Sequence, residues 1–195
     1  MSNNKVNVDL KNFYTNILKK NPLFYDHQFI ITFDGADLPS AFKSDPSNPQ
    51  SITYYVKSSS VPKIEINEAT VNFLSQDFVV PSGVKHGGTW DITLMMTNSL
   101  KMYMALRDWQ KEFASLEENG GGNKKIPSVT AHVHLLDSSM TQELHDFVLE
   151  GVFPTKVPDL PMAYENNSTI PEVAVTFTYQ YMYRTDEGDP LAANN

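Results

Sequence analysis

Apolar residues recur along this chain in two rhythms, one of period two and one of period three to four. Together they predict a mainly β protein carrying one long helix. The clearest alternation is Thr89–Thr97, where Trp90, Ile92, Leu94 and Met96 face one side and Thr89, Asp91 and Thr93 the other. That is the pattern of a half-buried antiparallel strand. Val129–Asp137 alternates in the same way, with Val129, Ala131, Val133 and Leu135 opposite His132 and His134. Phe24–Phe33 sets His27, Phe29, Ile31 and Phe33 against Asp26, Gln28, Ile30 and Thr32. Ile52–Ser58 also has β character. Phe147–Phe153 predicts a strand with a bulge at Gly151. Between Val61 and Pro81, the segments KIEI, TVNFL and DFVV predict one long hairpin, with turn or bulge points at Asn67-Glu68 and Ser75-Gln76.

The last alternation is the longest. From Glu172 to Tyr183 one face carries Val173, Val175, Phe177, Tyr179, Tyr181 and Tyr183. Read as one strand at about 3.3 Å per residue, it spans roughly 40 Å, about twice an ordinary strand. A compact domain has no use for that reach, so the expectation is that something outside the domain continues the sheet. The helical rhythm is Met102, Leu106, Trp109, Phe113 and Leu116, a single apolar stripe that predicts a helix over about residues 99–118. Asn98 is placed to cap its start, and Asn119-Gly120-Gly121-Gly122 to stop it. A shorter stripe, Leu10, Phe13/Tyr14 and Ile17/Leu18, predicts an amphipathic helix within residues 8–20. Asp34–Gln50, with three prolines, reads as a long surface loop. The organisation expected is an N-terminal arm over 1–21, a β domain over 22–184 and a polar tail over 185–195.

Composition then removes function classes. The 195 residues include no cysteine, which excludes a disulfide scaffold, a thiolate zinc site and a cysteine nucleophile. Fifteen Lys+Arg against 23 Asp+Glu give a formal charge of −8. That sign argues against groove-binding of nucleic acid, which needs basic clusters to displace counterions. No run of about 18 apolar residues is present, so no membrane span is expected. The opening residues have no apolar h-region, so no secretory leader is expected. The charge is uneven: residues 1–20 hold four lysines against Asp9, while residues 137–195 hold ten acids against Lys156 and Arg184.

Catalytic constellations are not found. Ser58-Ser59-Ser60 and Ser138-Ser139 sit in no nucleophile motif. Glu112, Glu117 and Glu118 fall on a solvated helix face. Asn119–Asn123 follows a helix instead of opening one, so its amides cannot cradle a phosphate. No enzyme activity, cofactor or catalytic residue is expected. His132 and His134, two apart on one strand, emerge on the same face, as in His-x-His metal sites. A third ligand would have to come from His86, His145 or a carboxylate. The reading adopted is that both occupy the wet face of a strand, and no metal is expected. The row Tyr179, Tyr181, Tyr183 can stack nucleobases, but with only Arg184 nearby it is read as a packed sheet face.

Three segments in order resemble the tail tube proteins of contractile-tailed bacteriophages, a family related to type VI secretion and phage-like injection tubes. They are Tyr55-Val56-Lys57-Ser58-Ser59-Ser60-Val61-Pro62; Thr89-Trp90-Asp91-Ile92-Thr93-Leu94-Met95-Met96-Thr97-Asn98 leading into a helix with Asp108-Trp109-Gln110; and Glu150-Gly151-Val152-Phe153-Pro154-Thr155-Lys156-Val157, followed by a strand ending Phe177-Thr178-Tyr179-Gln180-Tyr181-Met182-Tyr183. The resemblance spans about residues 22–183. The Asp34–Gln50 loop and the tail Thr185–Asn195 depart from it.

The resemblance implies an antiparallel β-sandwich or barrel-like core with one flanking helix, assembled as hexameric rings that stack into a tube. It implies a structural virion protein of the tail, assembled in the host cytoplasm. Its partners would be further copies of itself, with sheath, baseplate and tape-measure proteins. DNA would be a passing cargo, and no membrane would be involved. Core positions are Trp90, Ile92, Leu94, Leu106, Trp109, Phe113 and Phe177. Contacts between rings or subunits fall to Phe13, Tyr14, Val71, Phe73, Phe78, Val79, Lys124 and Lys125, through a basic N-terminal segment or the Lys124-Lys125 loop and an apolar hairpin. Lumen candidates are Glu65, Glu68 and Asp77. Two alternatives stay open: a tube initiator or terminator, or the tube of an injection apparatus that delivers protein. A third, of another class, is a monomeric β-sandwich module with a His-x-His metal site.

Overall fold

A computed structural model describes residues 24–42, 52–113, 127–160, 162 and 170–187. The expected N-terminal arm, Phe13, Tyr14, Lys124, Lys125, the helix beyond residue 113 and residues 188–195 lie outside the described residues.

Among the described residues, ten strands and one α-helix form a two-sheet sandwich with a projecting hairpin. In chain order they are β1 (Phe29–Asp34), β2 (Val56–Ser59), β3 (Glu65–Phe73), β4 (Gln76–Lys85), β5 (Gly88–Met95), α1 (Lys101–Phe113), β6 (Thr130–Leu136), β7 (Glu143–Glu150), β8 (Phe153–Lys156), β9 (Glu172–Tyr179) and β10 (Tyr181–Arg184). One sheet has the order β1-β6-β7-β10 and the other β2-β5-β9-β8, while β3 and β4 form a separate two-stranded ribbon among the described residues. All pairings are antiparallel.

The period-two pattern fixes which side of each strand is dry. Trp90, Ile92 and Leu94 on β5 stand opposite Phe177, Val175 and Val173 on β9 and point into the sandwich. Ile31 and Phe33 on β1 stand opposite Val133 and Ala131 on β6. The rings of Phe33, Trp90 and Phe177 pack at centroid distances of 5.7 to 6.1 Å, which joins the two sheets. Helix α1 presents Met102, Leu106 and Trp109 to this core, and Trp109 lies 5.9 Å from Phe177. Of the expected core residues only Phe113 stays half-buried, against Phe153 at the helix end.

Several sequence expectations are corrected. Residues Glu172–Tyr183 are not one strand: the chain bends at Gln180, so β9 belongs to one sheet and β10 to the other. The bulge expected at Gly151 is likewise a sheet-switching corner, between β7 and β8. The two corners lie side by side. Gln180 N donates to Glu150 O at 2.8 Å, and Val152 N to Val129 O at 2.8 Å. Gly151 has φ +66, and a Cβ there would meet Gln180 Cγ at 2.5 Å. A paired ribbon thus folds across the corner and serves both sheets, as in orthogonal sandwiches. The apparent surplus of strand length is consumed inside the domain, which removes it as a sign of an external partner.

Smaller differences follow from local bonding. β1 starts at Phe29 and not at Phe24, because Gln28 closes a turn on Tyr25, its buried side chain accepting from Tyr25 N at 2.9 Å. Residues Ile52–Tyr54 form a 3-10 turn before β2. The described part of the Asp34–Gln50 loop is no surface excursion, since Leu38 and Phe42 are buried, with Phe42 5.6 Å from Trp109. Helix α1 is entered from a turn closed by Leu100 N on Thr97 O, and not from an Asn98 cap.

Candidate functional site

The β3–β4 hairpin is built unlike the rest of the molecule. It is nine residues paired with ten, and none of residues 65–85 is buried. Its register places Val71 opposite Phe78, Ala69 opposite Val80 and Phe73 opposite Gln76. Paired residues share a face, so Val71, Phe73, Phe78 and Val80 form one apolar surface on the ribbon. Phe73 is 64% exposed and Phe78 50%. Val79, expected beside them, lies on the opposite face, across from Thr70. Sequence reading missed Val80 and the tip residue Leu74. The spacing of Phe78 and Val80, two apart on one strand, was the available signal for the first.

The tip turn is Leu74-Ser75, with φ of 52 and 66. A two-residue hairpin loop of this hand needs two positive φ values and normally uses Asn or Gly. Left-handed backbone costs a side-chain-bearing residue about 1–2 kcal/mol. Leu74 takes this conformation while 82% exposed. Lower down, the register shifts between Asn67 and Glu68, where Ser82 is the extra residue on β4 and Pro81 sits without a donor to lose.

The lumen candidates separate. Glu65 sits at the base, held by Lys63 and by Lys85 Nζ at 3.0 Å. Hydrogen bonds from these two lysines lower its pKa to about 2. Glu68 and Asp77 are exposed and share the face opposite to that of Val71, with Asp77 accepting from Asn72 Nδ2 at 2.7 Å. The tyrosine row also splits at Gln180. Tyr179 is buried, with its hydroxyl pKa raised by that burial and by Glu65, while Tyr181 and Tyr183 stack on each other at 6.0 Å. His132 and His134 emerge together on the outer face of β6 as expected, and the carboxylate that joins them is Asp146. His86 and His145 are not part of that group.

A two-stranded ribbon is marginal alone in water. Among the described residues this one pairs with no further strand and exposes an apolar face, the kind of surface that proteins commonly cover by association. Residues 13–185 match the family described as phage tail tube protein. The chain belongs to the phage tail tube protein family.

Solved structures share the fold. A chain in the cryo-EM structure of the sheath/tube terminator of an extracellular contractile injection system superposes with a TM-score of 0.56 at 13% identity, covering 83% of this chain and 96% of that one. A chain of the sheath-tube complex of that system gives 0.56 at 13%, covering 87% and 96%. The tube-terminating cap of the anti-feeding prophage gives 0.56 at 13%, covering 83% and 90%. None of the curated proteins compared matches the chain. Within this tail tube family fold, the hairpin is the feature that the sandwich core does not explain.

Proposed function

We propose that this tail tube protein is the major tube subunit of a contractile tail, a structural and non-catalytic component that polymerises as stacked hexameric rings. The observation that carries the reading is the apolar face of the β3–β4 hairpin, which nothing among the described residues covers. Head-to-tail stacking is a heterologous contact and needs two different complementary surfaces. The hairpin is one of them, reaching from its own subunit onto the next ring or the adjacent copy. The edges of β1 and β2 are the natural seams for ring closure. Sheath, baseplate and tape-measure proteins would be the further partners, and the tail of the virion its place.

The tube is the conduit for the genome. Duplex DNA carries one charge per about 1.7 Å of axis, and a lysine-lined bore would bind it along the whole length. A chain of formal charge −8 fits cargo that slides. A terminator or initiator role makes a different prediction: such a chain adds to a tube end and limits its length. Negative-stain microscopy of the purified chain tests the reading, with rings or tubes expected from the wild type and dispersed subunits from Phe73→Asp. Tubes of unchanged yield and length from Phe73→Asp would overturn the role of the hairpin. Capping of pre-formed tubes without self-growth would select the terminator.

A further inference from the structure

We propose that the outer face of the β1-β6-β7-β10 sheet holds a divalent transition-metal site, of zinc type, built from His132, His134 and Asp146. The period-two geometry of β6 puts both imidazoles on the same outward face, with rings 5.5 Å apart and parallel within 3°. The register of β6 on β7 sets Asp146 directly opposite His134. Asp146 Oδ2 lies 3.0 Å from His132 Nδ1, and Oδ1 lies 3.4 Å from His134 Nδ1. One donor atom from each residue falls within 4.8 Å of the others. Ligands bound tetrahedrally to zinc at about 2.0–2.1 Å stand about 3.3 Å apart, close to the two imidazole–carboxylate distances, so small side-chain adjustments would bring the three donors onto one ion.

Three further observations favour a cation over a plain hydrogen-bond cluster. Asp146 is 8% exposed, and its Oδ1 has no hydrogen-bond partner. An unsatisfied buried carboxylate oxygen is unfavourable, and a metal ion is the kind of partner that satisfies it. Next, the region is negative: Glu143 Oε2 lies 2.8 Å from His134 Nδ1, and neither Asp146 nor Glu143 pairs with a lysine or arginine among the described residues. A dication balances those two carboxylates, with Glu143 or water completing the coordination. Finally, the donors are held from behind, as metal ligands generally are. Thr32 Oγ1 bonds His134 Nε2 at 3.0 Å, which leaves Nδ1 facing the carboxylates. Thr185 Oγ1 donates to Asp146 Oδ2 at 2.9 Å. The bound ion would tie β6 to β7 and, through Thr185, to the turn that follows β10.

The test is calorimetric titration of zinc chloride into the full chain, stripped with chelator and dialysed. One ion per chain is expected, with a Kd of about 1 μM or tighter. His132→Asn/His134→Asn should weaken uptake at least about 100-fold, while His86→Asn, outside the cluster, should leave it unchanged. Zinc should raise the melting temperature of the wild type and not that of the double variant. No uptake by the wild type at 100-fold excess of zinc over the expected Kd, or equal titration of wild type and double variant, would overturn the site. If the double variant does not fold, X-ray absorption of the zinc-loaded wild type decides. Two imidazoles in the coordination shell support the site, and none refutes it.

Discussion

The sandwich core and the β3–β4 hairpin use the same residue types for opposite ends. Phe177 and Phe73 both lie on alternating strands, yet Phe177 is 0% exposed and Phe73 is 64% exposed. Phe177 is enclosed by Phe33, Trp90 and Trp109, contributed by three different elements. Among the described residues, Phe73 is flanked by its own ribbon and left exposed. Burying such a side chain is worth roughly 1.5–3 kcal/mol. The core has realised that gain within one chain, whereas the apolar face of the hairpin stays uncovered among the described residues. Under the proposed role of the hairpin, subunit stability and polymerisation should respond to different mutations.

The largest separation should come from Trp90→Ala or Phe177→Ala. Each removes an aromatic from the junction of the sheets and should cost about 3–5 kcal/mol in denaturant unfolding, enough to unfold much of the population. Gly151→Val tests the corner, where φ +66 and the close Gln180 side chain both oppose a β-branched residue. A loss of about 1–3 kcal/mol is expected, with polymerisation failing only as far as folding fails. Phe73→Asp should do the reverse, changing subunit stability by less than about 0.5 kcal/mol while abolishing tubes. If Phe73→Asp unfolds the subunit as Phe177→Ala does, the contrast between the two regions collapses.

The smallest effect belongs to the hairpin base. The two lysines hold the folded pKa of Glu65 at about 2, below the ordinary glutamate value of about 4.5. Because the folded value is depressed, the contribution of Glu65 is present above about pH 4.5. It is lost as pH falls from there through about 2. Glu65→Gln should therefore flatten the acid limb of a stability-against-pH curve in that window. At neutral pH the change should be slight, since both partner lysines are exposed. An acid limb identical to that of the wild type would show that the lysines do not hold this carboxylate.

The candidate site was partly legible. The run from Ala69 to Phe73 announced an apolar strand face, and Val71, Phe73 and Phe78 do share one surface, because pairing keeps opposed residues on one side. Val79 lies on the other face of the ribbon, which a sequence without its turn does not show, and here Leu74-Ser75 forms the turn and not Ser75-Gln76. His132 and His134 announced a shared face, but Asp146 could not be named. It is brought there by a strand that follows a further turn, and nothing local marks it.

Sequence alone determined the elements whose causes are local. The alternation of Trp90, Ile92 and Leu94, and the stripe of Met102, Leu106 and Trp109, each decide a buried face by the 2.0 or 3.6 periodicity of the backbone itself. Only the tertiary structure decided where strands end and which sheet they join. Glu172–Tyr183 reads as unbroken because alternation does not register a bend at Gln180. That bend exists because Gln180 N bonds Glu150 O and Gly151 leaves room beside it. A long strand thus became two, and the reach that pointed outward from the domain turned out to fold it shut. The surface that does point outward is the hairpin, whose apolar face finds no cover among the described residues.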